Sequence, residues 1–399
     1  MSARATRARA PRVAVFGEWS GTNLGDRAIH EGVQRYFSAQ GWQVESYEFG
    51  ALRPTPALQP LPVPTQTAKP ARPPWQARLP RPVARTVRGM RQRMRSRYLI
   101  PRLAAADAIC IGGGALLTDI NLQFPQSLAV ISRAARKLDK PLLCLGCSAE
   151  GPWSPAAERL MREFVRQEPY LAVRDQQTAQ RLEELGAGPV PVFGDFALSL
   201  DAERPKRRRQ LLYRLAINVA QGLGVSQDEQ QRYEQALAQS AKHIAAEIGT
   251  EGRTLIYTTG NGHDLPAAER VRHHLAELDC EVHPGRDVEQ LRELMGLSTA
   301  VIATRLHAAI IALGAHTPVV GLSPTDKIAN FFDTLDIQSC AFGPQDPPLA
   351  VAEKVLDLLA APAQVAARAL APLTGAREQV SATLEALARG ERGTRGAYA

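Results

Sequence analysis

Short apolar runs alternate with longer segments of helical periodicity along most of the chain. Runs typical of buried strands lie at 13–16, 108–111, 141–145, 170–173 and 190–193, and again at 215–219, 254–258, 280–283, 300–303 and 318–322. Segments with helical spacing follow many of them, at 27–40, 155–167, 176–185, 266–278 and 287–297 among others. Buried strands that alternate with helices are typical of parallel sheets covered on both faces, so the pattern predicts an α/β protein.

The alternation runs through both halves of the chain, which predicts two Rossmann-like domains. The charged run 204–209 is interpreted as a linker between an N-terminal domain at 1–203 and a C-terminal domain at 210–370, with a helix and tail at 371–399. A chain of 399 residues can form two cores of ordinary size. We expect ligands in the cleft between the domains, at the carboxyl ends of the strands.

Composition narrows the class of protein. The hydrophobic content of 45% is ordinary for a globular chain, no apolar run reaches bilayer length, and the basic N-terminus is not followed by a signal-peptide core. We therefore expect a cytoplasmic protein. Cys144 and Cys147 form a C-x-x-C without a second pair, and the histidines show no ligand spacing with carboxylates, so neither a disulfide framework nor a metal site is predicted.

The positive charge is concentrated in one segment. Between Phe49 and Ala106 there are twelve Lys or Arg residues and no Asp or Glu, and removing those twelve cations from the net charge of +8 leaves −4. A mildly acidic body argues against a nucleic-acid partner. The Pro/Arg-rich insert 51–100 includes a predicted basic amphipathic helix at 83–98. This helix either makes peripheral contact with the inner face of the cytoplasmic membrane, through 83–100, or packs on its own domain.

The segment 298–331 carries the most informative polar pattern. Its two predicted strands each lead into a helix, with Thr304 as N-cap before Arg305 and His307, and with Lys327 at the second helix start. Free N–H groups and the helix dipole attract anions at such places. Arg305 adds a fork for carboxylate or phosphate, and His307 adds a group that moves protons near neutral pH. The segment predicts a site for a small, highly charged anion that undergoes acid–base chemistry.

Four further motifs lie at strand ends in the first half. They are G-T-N-L-G-D at 21–26, G-G-G at 112–114, G-x-S-x-x-G-P at 146–152 and V-R-D at 173–175. The first is neither a G-x-G-x-x-G fingerprint nor a P-loop, so its glycine spacing alone is weak evidence. Asn23 and Asp26 either bind acceptor hydroxyls or serve as turn and N-cap residues. Arg174 either binds an anion or forms a structural ion pair with Asp175.

Together with R-L-H at 305–307 and S-P-T-D-K at 323–327, these motifs resemble, in order and over roughly residues 12–335, those of the polysaccharide pyruvyl transferase family. The resemblance implies two Rossmann-like domains arranged as in GT-B glycosyltransferases. It also implies that pyruvate from phosphoenolpyruvate, the donor substrate, is joined as a ketal to two hydroxyls of a sugar, with release of phosphate and no cofactor. Cys147 stands where the family usually has Gln, and Asp195-Phe-Ala197 stands where it has D-P-A.

The resemblance also assigns roles, because the family's donor-binding and catalytic positions map onto Arg174, Arg305 and His307. We hypothesise that His307 is the general acid and base. Arg174 and Arg305 would hold the donor, and Lys327 would assist the departure of phosphate. The remaining predicted substrate-binding residues are Asn23, Asp26 and Ser148. The acceptor is expected to be a glycan or a lipid-linked sugar, and no motif identifies the sugar or the hydroxyl pair.

Two other functions fit parts of the pattern. A GT-B glycosyltransferase that uses a nucleotide sugar would share the architecture, but residues 300–330 show no convincing pattern of nucleotide-binding carboxylates. A non-catalytic protein that binds membranes or polyanions would use the arginine-rich insert. Release of phosphate from phosphoenolpyruvate separates the first alternative from pyruvyl transfer, and deletion of 51–100 separates the second.

Overall fold

The computed structural model describes residues 9–59, 61, 98–119, 122–200, 213–248, 253–259, 264–360 and 369–391. These residues form two α/β units, each built on a six-stranded sheet. The predicted linker 204–209, most of the insert 51–100 and almost all of its predicted helix lie outside the described residues. The predicted α/β class, with two mostly parallel sheets, is confirmed.

The N-terminal sheet contains β1 (Arg12–Gly17), β2 (Gln43–Glu48), β3 (Arg53–Pro54), β4 (Ala108–Gly114), β5 (Leu142–Cys147) and β6 (Tyr170–Ala172). Their order across the sheet is β3-β2-β1-β4-β5-β6. All neighbours are parallel except β3, which pairs antiparallel with β2. The helices of this domain are α1 (Leu24–Ala39), α2 (Gln123–Lys137), α3 (Pro155–Val165) and α4 (Gln176–Glu184).

The C-terminal sheet contains β7 (Tyr213–Asn218), β8 (Arg253–Tyr257), β9 (Cys280–His283), β10 (Val301–Ala303), β11 (Val319–Leu322) and β12 (Ala341–Phe342). Its order is β12-β11-β10-β7-β8-β9, and every neighbouring pair is parallel. The helices are α5 (Gln227–Glu247), α6 (Asp264–His274), α7 (Val288–Gly296), α8 (Leu306–Gly314), α9 (Lys327–Thr334) and α10 (Pro348–Ala360). Counted from the first strand of each domain, both sheets have the strand order of a Rossmann fold.

Polar residues at strand ends explain where the helices near the cleft begin. Asn23 and Asp175 cap α1 and α4, because each side chain accepts a hydrogen bond from a backbone N–H in the first turn. The start of α8 differs from the prediction, since Arg305 rather than Thr304 is its N-cap. The reason is a tertiary contact: the buried Thr304 hydroxyl donates to the carbonyl oxygen of Asn218 at 2.7 Å and is not available to the helix.

The two domains pack together along α1 and a short 3₁₀ turn, Phe196–Ser199, both of which contact α8. Leu24 and Ala28 of α1 belong to the same buried cluster as the core of the C-terminal domain. The backbone N–H of Leu24 donates to the carbonyl oxygen of Thr259, after β8, at 2.9 Å. The carboxyl ends of both sheets therefore face a common cleft.

The C-terminal helix α11 (Thr374–Ala388) returns to the N-terminal domain. Its Arg377 donates to the carbonyl oxygens of Phe193 and Asp195 at 3.1 and 2.9 Å. Val380 and Leu384, on the same helix, are buried in the N-terminal core. The helix thereby supports the strand end that carries Asp195.

Candidate active site

His307 reaches the cleft from the second position of α8. Its side chain is 14% exposed, and its Nε2 lies 3.6 Å from Oδ2 of Asp195, which belongs to the other domain. That distance is longer than a hydrogen bond, and neither atom has a hydrogen-bond partner within the described residues. Catalytic hydrogen bonds in substrate-free sites are often long and shorten when substrate binds. The buried carboxylate is well placed to stabilise protonated His307.

Asp195 connects His307 to Arg174. The same Oδ2 atom is 3.9 Å from Nη1 of Arg174, and Asp195 is fully buried. Burial favours the protonated acid, but His307, the Arg174 guanidinium and the backbone N–H of Ala197 together hold the pKa of Asp195 below its ordinary value. Asp195 is therefore ionised near neutral pH, and it faces Arg174 from its own domain and His307 from the other.

Glu150 makes a second bridge across the cleft. Its Oε1 is 3.3 Å from Nη2 of Arg174, and its Oε2 is 2.6 Å from Nζ of Lys327 in the C-terminal domain. Arg174 is only 4% exposed and also lies 3.5 Å from Asp175, so the predicted Arg174–Asp175 ion pair is present. A carboxylate of the protein thus lies between Arg174 and Lys327, one cation from each domain.

Arg305 is fixed by a carboxylate of its own domain. Its Nε and Nη2 donate to the two carboxylate oxygens of Asp264 at 3.0 and 2.8 Å, and Nη2 also donates to the carbonyl oxygen of Gln221 at 3.2 Å. Asp264 is fully buried, whereas the Arg305 side chain is 21% exposed. A bidentate pair is strong and geometrically specific. The predicted donor-binding fork of Arg305 is therefore paired with Asp264, while Arg174 and His307 share Asp195.

Asn218, the last residue of β7, sets the backbone that presents this motif. Its Oδ1 accepts a hydrogen bond from the backbone N–H of Arg305 at 3.0 Å, and its carbonyl oxygen accepts the Thr304 hydroxyl. Asn218 is fully buried. It joins β7 to the start of α8, where the strand order of the sheet reverses, which is the usual ligand-binding position in such sheets.

The pKa of Asp26 is shifted in the opposite direction to that of Asp195. Burial is the main cause that raises the pKa of Asp26, and Asp195 adds to it, while His307, Asn23 and Arg174 oppose it. Neighbouring carboxyl groups whose pKa values are pushed apart can take separate acid and base roles. Asn23 accepts a hydrogen bond from the backbone N–H of Gly25 at 3.0 Å, so it caps the helix that presents Asp26.

Ser148 and Cys147 lie beneath the cleft, at the end of β5. Ser148 is 1% exposed, and its Oγ has no hydrogen-bond partner within the described residues. Cys147 is fully buried, and its Sγ donates to the carbonyl oxygen of Ile111 at 3.5 Å. The departure from the family pattern at position 147 therefore lies inside the sheet rather than on the surface of the cleft.

Gly25 packs directly on His307, which explains the second glycine of G-T-N-L-G-D. A Cβ at this position would overlap Nδ1, Cγ and Cβ of the His307 side chain.

Gly25→Ala is expected to displace His307 and lower turnover about 10²-fold, although alanine favours the helix itself. Steady-state kinetics and circular dichroism check both parts. Gly21→Ala is the matched control, since its Cβ would meet Asp26 Oδ2 at an ordinary 3.6 Å. Full activity in Gly25→Ala would contradict the assigned position of His307.

The structure brings Arg174, His307, Lys327 and Asp26 together around Asp195 and Glu150. The sequence reasoning did not assign site roles to the residues that hold these cations or the R-L-H motif in place, which are Glu150, Asp195, Asn218 and Asp264. Glu150 and Asp195 follow β5 and the predicted strand 190–193, so the strand-end position that marked Arg174 could have marked them too.

Within the described residues, no group of three or more His, Cys, Asp or Glu is arranged to hold a metal ion. No helix in the described part of the chain is both long and apolar enough to cross a bilayer.

Two Rossmann-ordered sheets that face a common cleft define a GT-B-type protein. Solved structures with this fold include a Listeria monocytogenes protein described as a UDP-N-acetylglucosamine 2-epimerase (TM-score 0.58, 13% identity, 97% of this chain and 98% of that chain covered). They also include the UDP-GlcNAc 2-epimerase of Neisseria meningitidis bound to UDP-GlcNAc (0.56, 12%, 94% and 99%). A third is a UDP-glucosyltransferase from Polygonum tinctorium (0.53, 10%, 98% and 100%). At these identities the likeness shows the fold.

A comparison with curated protein sequences finds no match. The family model for polysaccharide pyruvyl transferases matches residues 23–326, and the chain belongs to this family. It is therefore a transferase with a GT-B-like fold. The resemblance drawn from the motifs is confirmed, as is the fold that it implied.

Proposed function

We propose that the protein transfers pyruvate from phosphoenolpyruvate to two hydroxyls of a sugar, in a polysaccharide or a lipid-linked precursor, and releases phosphate. The observation that carries the proposal is the meeting of Arg174 and His307, from opposite domains, at the buried carboxylate of Asp195. This arrangement supplies a cation and a proton-transfer group at one point in a cleft, which an acidic donor with a basic reactive carbon requires.

The charges of the cleft suit a donor that displaces Glu150. Phosphoenolpyruvate carries a carboxylate and a phosphate. In the cleft, the loop carboxylate of Glu150 bridges two cations, Arg174 and Lys327. A bound phosphate would replace Glu150 between them and would gain charge-assisted hydrogen bonds. Arg305 is held by Asp264, and its partly exposed guanidinium would attract the anionic donor electrostatically. The same pair would fix the start of α8.

The proposed reaction consumes one proton at C3 of the donor and releases two protons, one from each sugar hydroxyl. Protonated His307 gives its proton to C3 of the enol, which becomes a methyl group, and the first sugar hydroxyl adds to C2 and loses its proton to a base. The C2–O bond to phosphate then breaks, and the second hydroxyl adds to C2 and loses its proton in turn. One of the two released protons restores His307 and the other leaves with phosphate. Asp26, whose pKa is raised, can serve as the second proton carrier.

The test is incubation of the protein with phosphoenolpyruvate and a panel of synthetic and lipid-linked glycosides. Phosphate release that depends on the glycoside, together with a pyruvyl mass addition to it, is the expected result. The nucleotide-sugar alternative rests on the fold that the chain shares with UDP-sugar enzymes. Release of a nucleoside diphosphate from UDP-sugars, without phosphate release from phosphoenolpyruvate, would establish that alternative instead.

Glu150→Gln is expected to lower the KM for phosphoenolpyruvate about threefold to tenfold, because a partly buried ion pair that competes with the donor contributes about 1 kcal/mol. Initial rates at varied phosphoenolpyruvate measure the effect. Glu158→Gln is the control, since Glu158 pairs with Arg162 on a helix surface. A higher KM, or a lower kcat, in Glu150→Gln would mean that Glu150 takes part in binding or catalysis rather than competing with the donor.

A further inference from the structure

A cavity of about 390 Å³ lies beside the Arg305–Asp264 pair. It is lined by Gln221, Gly222, Val225, Ser226, Gln227, Gln230, Gln231 and Arg270. Its volume falls within the range of about 300–1,000 Å³ that is usual for small-molecule sites. Half of its lining residues are glutamines, whose amides both donate and accept hydrogen bonds.

Gln230 provides a buried acceptor in this lining. Its residue is 7% exposed, and its Nε2 donates to the carbonyl oxygen of Ala220 at 3.0 Å and to Oε1 of Glu234 at 2.9 Å. These two acceptors fix which way the amide is turned. Its Oε1 has no hydrogen-bond partner within the described residues. A buried acceptor without a partner is uncommon, so this atom marks an unsatisfied polar position behind the wall of the cavity.

The charges around the cavity are already paired, which argues against an anionic ligand. Arg270 donates to both carboxylate oxygens of Glu234 at 2.8 and 2.7 Å. The first turn of α5 is closed by a capping box, in which Ser226 and Glu229 satisfy each other's backbone N–H groups. With its cation paired and its helix terminus capped, the cavity offers mainly the amides of its glutamines, which suit a neutral ligand rich in hydroxyl groups.

Gln221 links the wall of the cavity to the residues that hold Arg305. Gln221 accepts a hydrogen bond from Nη2 of Arg305 through its carbonyl oxygen, at 3.2 Å, and donates its backbone N–H to Asp264 at 2.9 Å. Arg305 is two residues from His307 in the chain. The cavity therefore lies next to the motif that carries His307.

We propose that this cavity binds a neutral sugar of the acceptor glycan, adjacent to the sugar that receives pyruvate. The inference rests on the proposed function and adds a second acceptor subsite to it. The exposed amides of Gln227 and Gln231 line the opening and would exchange hydrogen bonds with the hydroxyls of this sugar. The protein should accordingly prefer a disaccharide acceptor to the corresponding monosaccharide.

The test compares Gln231→Trp, which fills the cavity, with Gln239→Trp on the same helix. Both side chains are exposed, and Gln239 is not among the residues that line the cavity. Acceptors are p-nitrophenyl glycosides of matched mono- and disaccharides, with binding followed by saturation-transfer NMR and transfer followed by kinetics. We expect the disaccharide KM to rise at least tenfold in Gln231→Trp, the monosaccharide and phosphoenolpyruvate KM to stay unchanged, and Gln239→Trp to match the wild type.

Each contrary result identifies what has failed. Transfer by the wild type with the same disaccharide KM in Gln231→Trp would overturn the subsite and leave the proposed function standing. If the wild type transfers to no glycoside, the proposed function fails, and NMR still tests the cavity: disaccharide binding lost only in Gln231→Trp supports a sugar site. Binding of UDP that Gln231→Trp alone removes, or no glycoside binding to the wild type, overturns the inference.

Discussion

His307→Gln is expected to reduce pyruvyl transfer about 10²-fold to 10⁴-fold while leaving the KM for phosphoenolpyruvate little changed. An imidazole can both donate and accept a proton, and glutamine keeps a similar size and polarity without that capacity. The Nε2 atom of His307 lies 3.6 Å from the Asp195 carboxylate, and His307 is not one of the cations proposed to hold the donor. The loss of activity should therefore fall on kcat rather than on KM. Single-turnover kinetics with phosphoenolpyruvate and a glycoside acceptor measure it.

His243→Gln is the matched control for this substitution, because His243 is exposed on α5. It should retain the wild-type rate. His307→Gln should remain folded at a somewhat lower thermal midpoint, because it loses the attraction between His307 and Asp195 while Arg174 and the backbone N–H of Ala197 still stabilise ionised Asp195. A folded His307→Gln variant with the wild-type rate would remove His307 from the reaction.

Asp195→Asn is the second substitution with a large expected effect, about 10²-fold to 10³-fold on kcat. The amide keeps the shape of the side chain but removes the charge that faces Arg174 and His307. The imidazolium would lose its buried counter-ion, so the alkaline limb of the pH–rate profile, where the acid form of His307 is lost, should move to lower pH. An Asp195→Asn variant with an unchanged pH profile would show that Asp195 does not act through His307.

The same substitution has a pH-dependent effect on stability. The pKa of Asp195 is lowered in the folded protein despite its burial, mainly through His307 and Arg174. Its ionised form therefore stabilises the fold above the ordinary carboxyl pKa of about 4, and this contribution is lost as the pH falls through the lower folded pKa. Asp195→Asn should cost up to about 3 kcal/mol at pH 7 and progressively less in acid. Thermal unfolding between pH 7 and pH 3 measures the difference, and a penalty that is independent of pH would contradict it.

Much of the fold could be predicted from the sequence because its signals are local. Buried parallel strands are short apolar runs, such as 300–303, and their spacing by helical segments indicates doubly wound sheets. The start of α8 was misplaced by one residue for a reason that local pattern does not contain. Thr304 looks like an N-cap, but its hydroxyl is taken by Asn218, which lies 86 residues earlier.

The site was predictable only in part, because its organisation depends on long-range pairs. Arg174 and His307 lie at strand ends within recognisable motifs, and they meet at Asp195. The pairing of Arg305 with Asp264 joins residues 41 positions apart, and nothing in the R-L-H motif indicates it. In the same way, no local pattern indicates that Glu150 bridges Arg174 and Lys327 across the cleft.

The segment Asp195-Phe-Ala197 was noted in the sequence only as a departure from D-P-A, and no site role was predicted for its aspartate. In the structure the 3₁₀ turn Phe196–Ser199 packs on α1, and the carbonyl oxygen of Phe196 would clash with any side chain at Gly32. The aspartate is the member of this segment that faces the site, while the following residues join the two domains.

The most direct test of the central claim is the ¹H and ²H NMR spectrum of the product formed from phosphoenolpyruvate and an acceptor glycoside in D₂O. A ketal and an enolpyruvyl ether have the same mass, so mass alone does not separate them. If an acid in the cleft protonates C3, as proposed for His307, the ketal carbon of the product should carry a methyl group in which one of the three hydrogens is deuterium. The product should show no vinyl protons. A product that keeps its vinyl protons, or release of a nucleoside diphosphate in place of phosphate, would contradict the account.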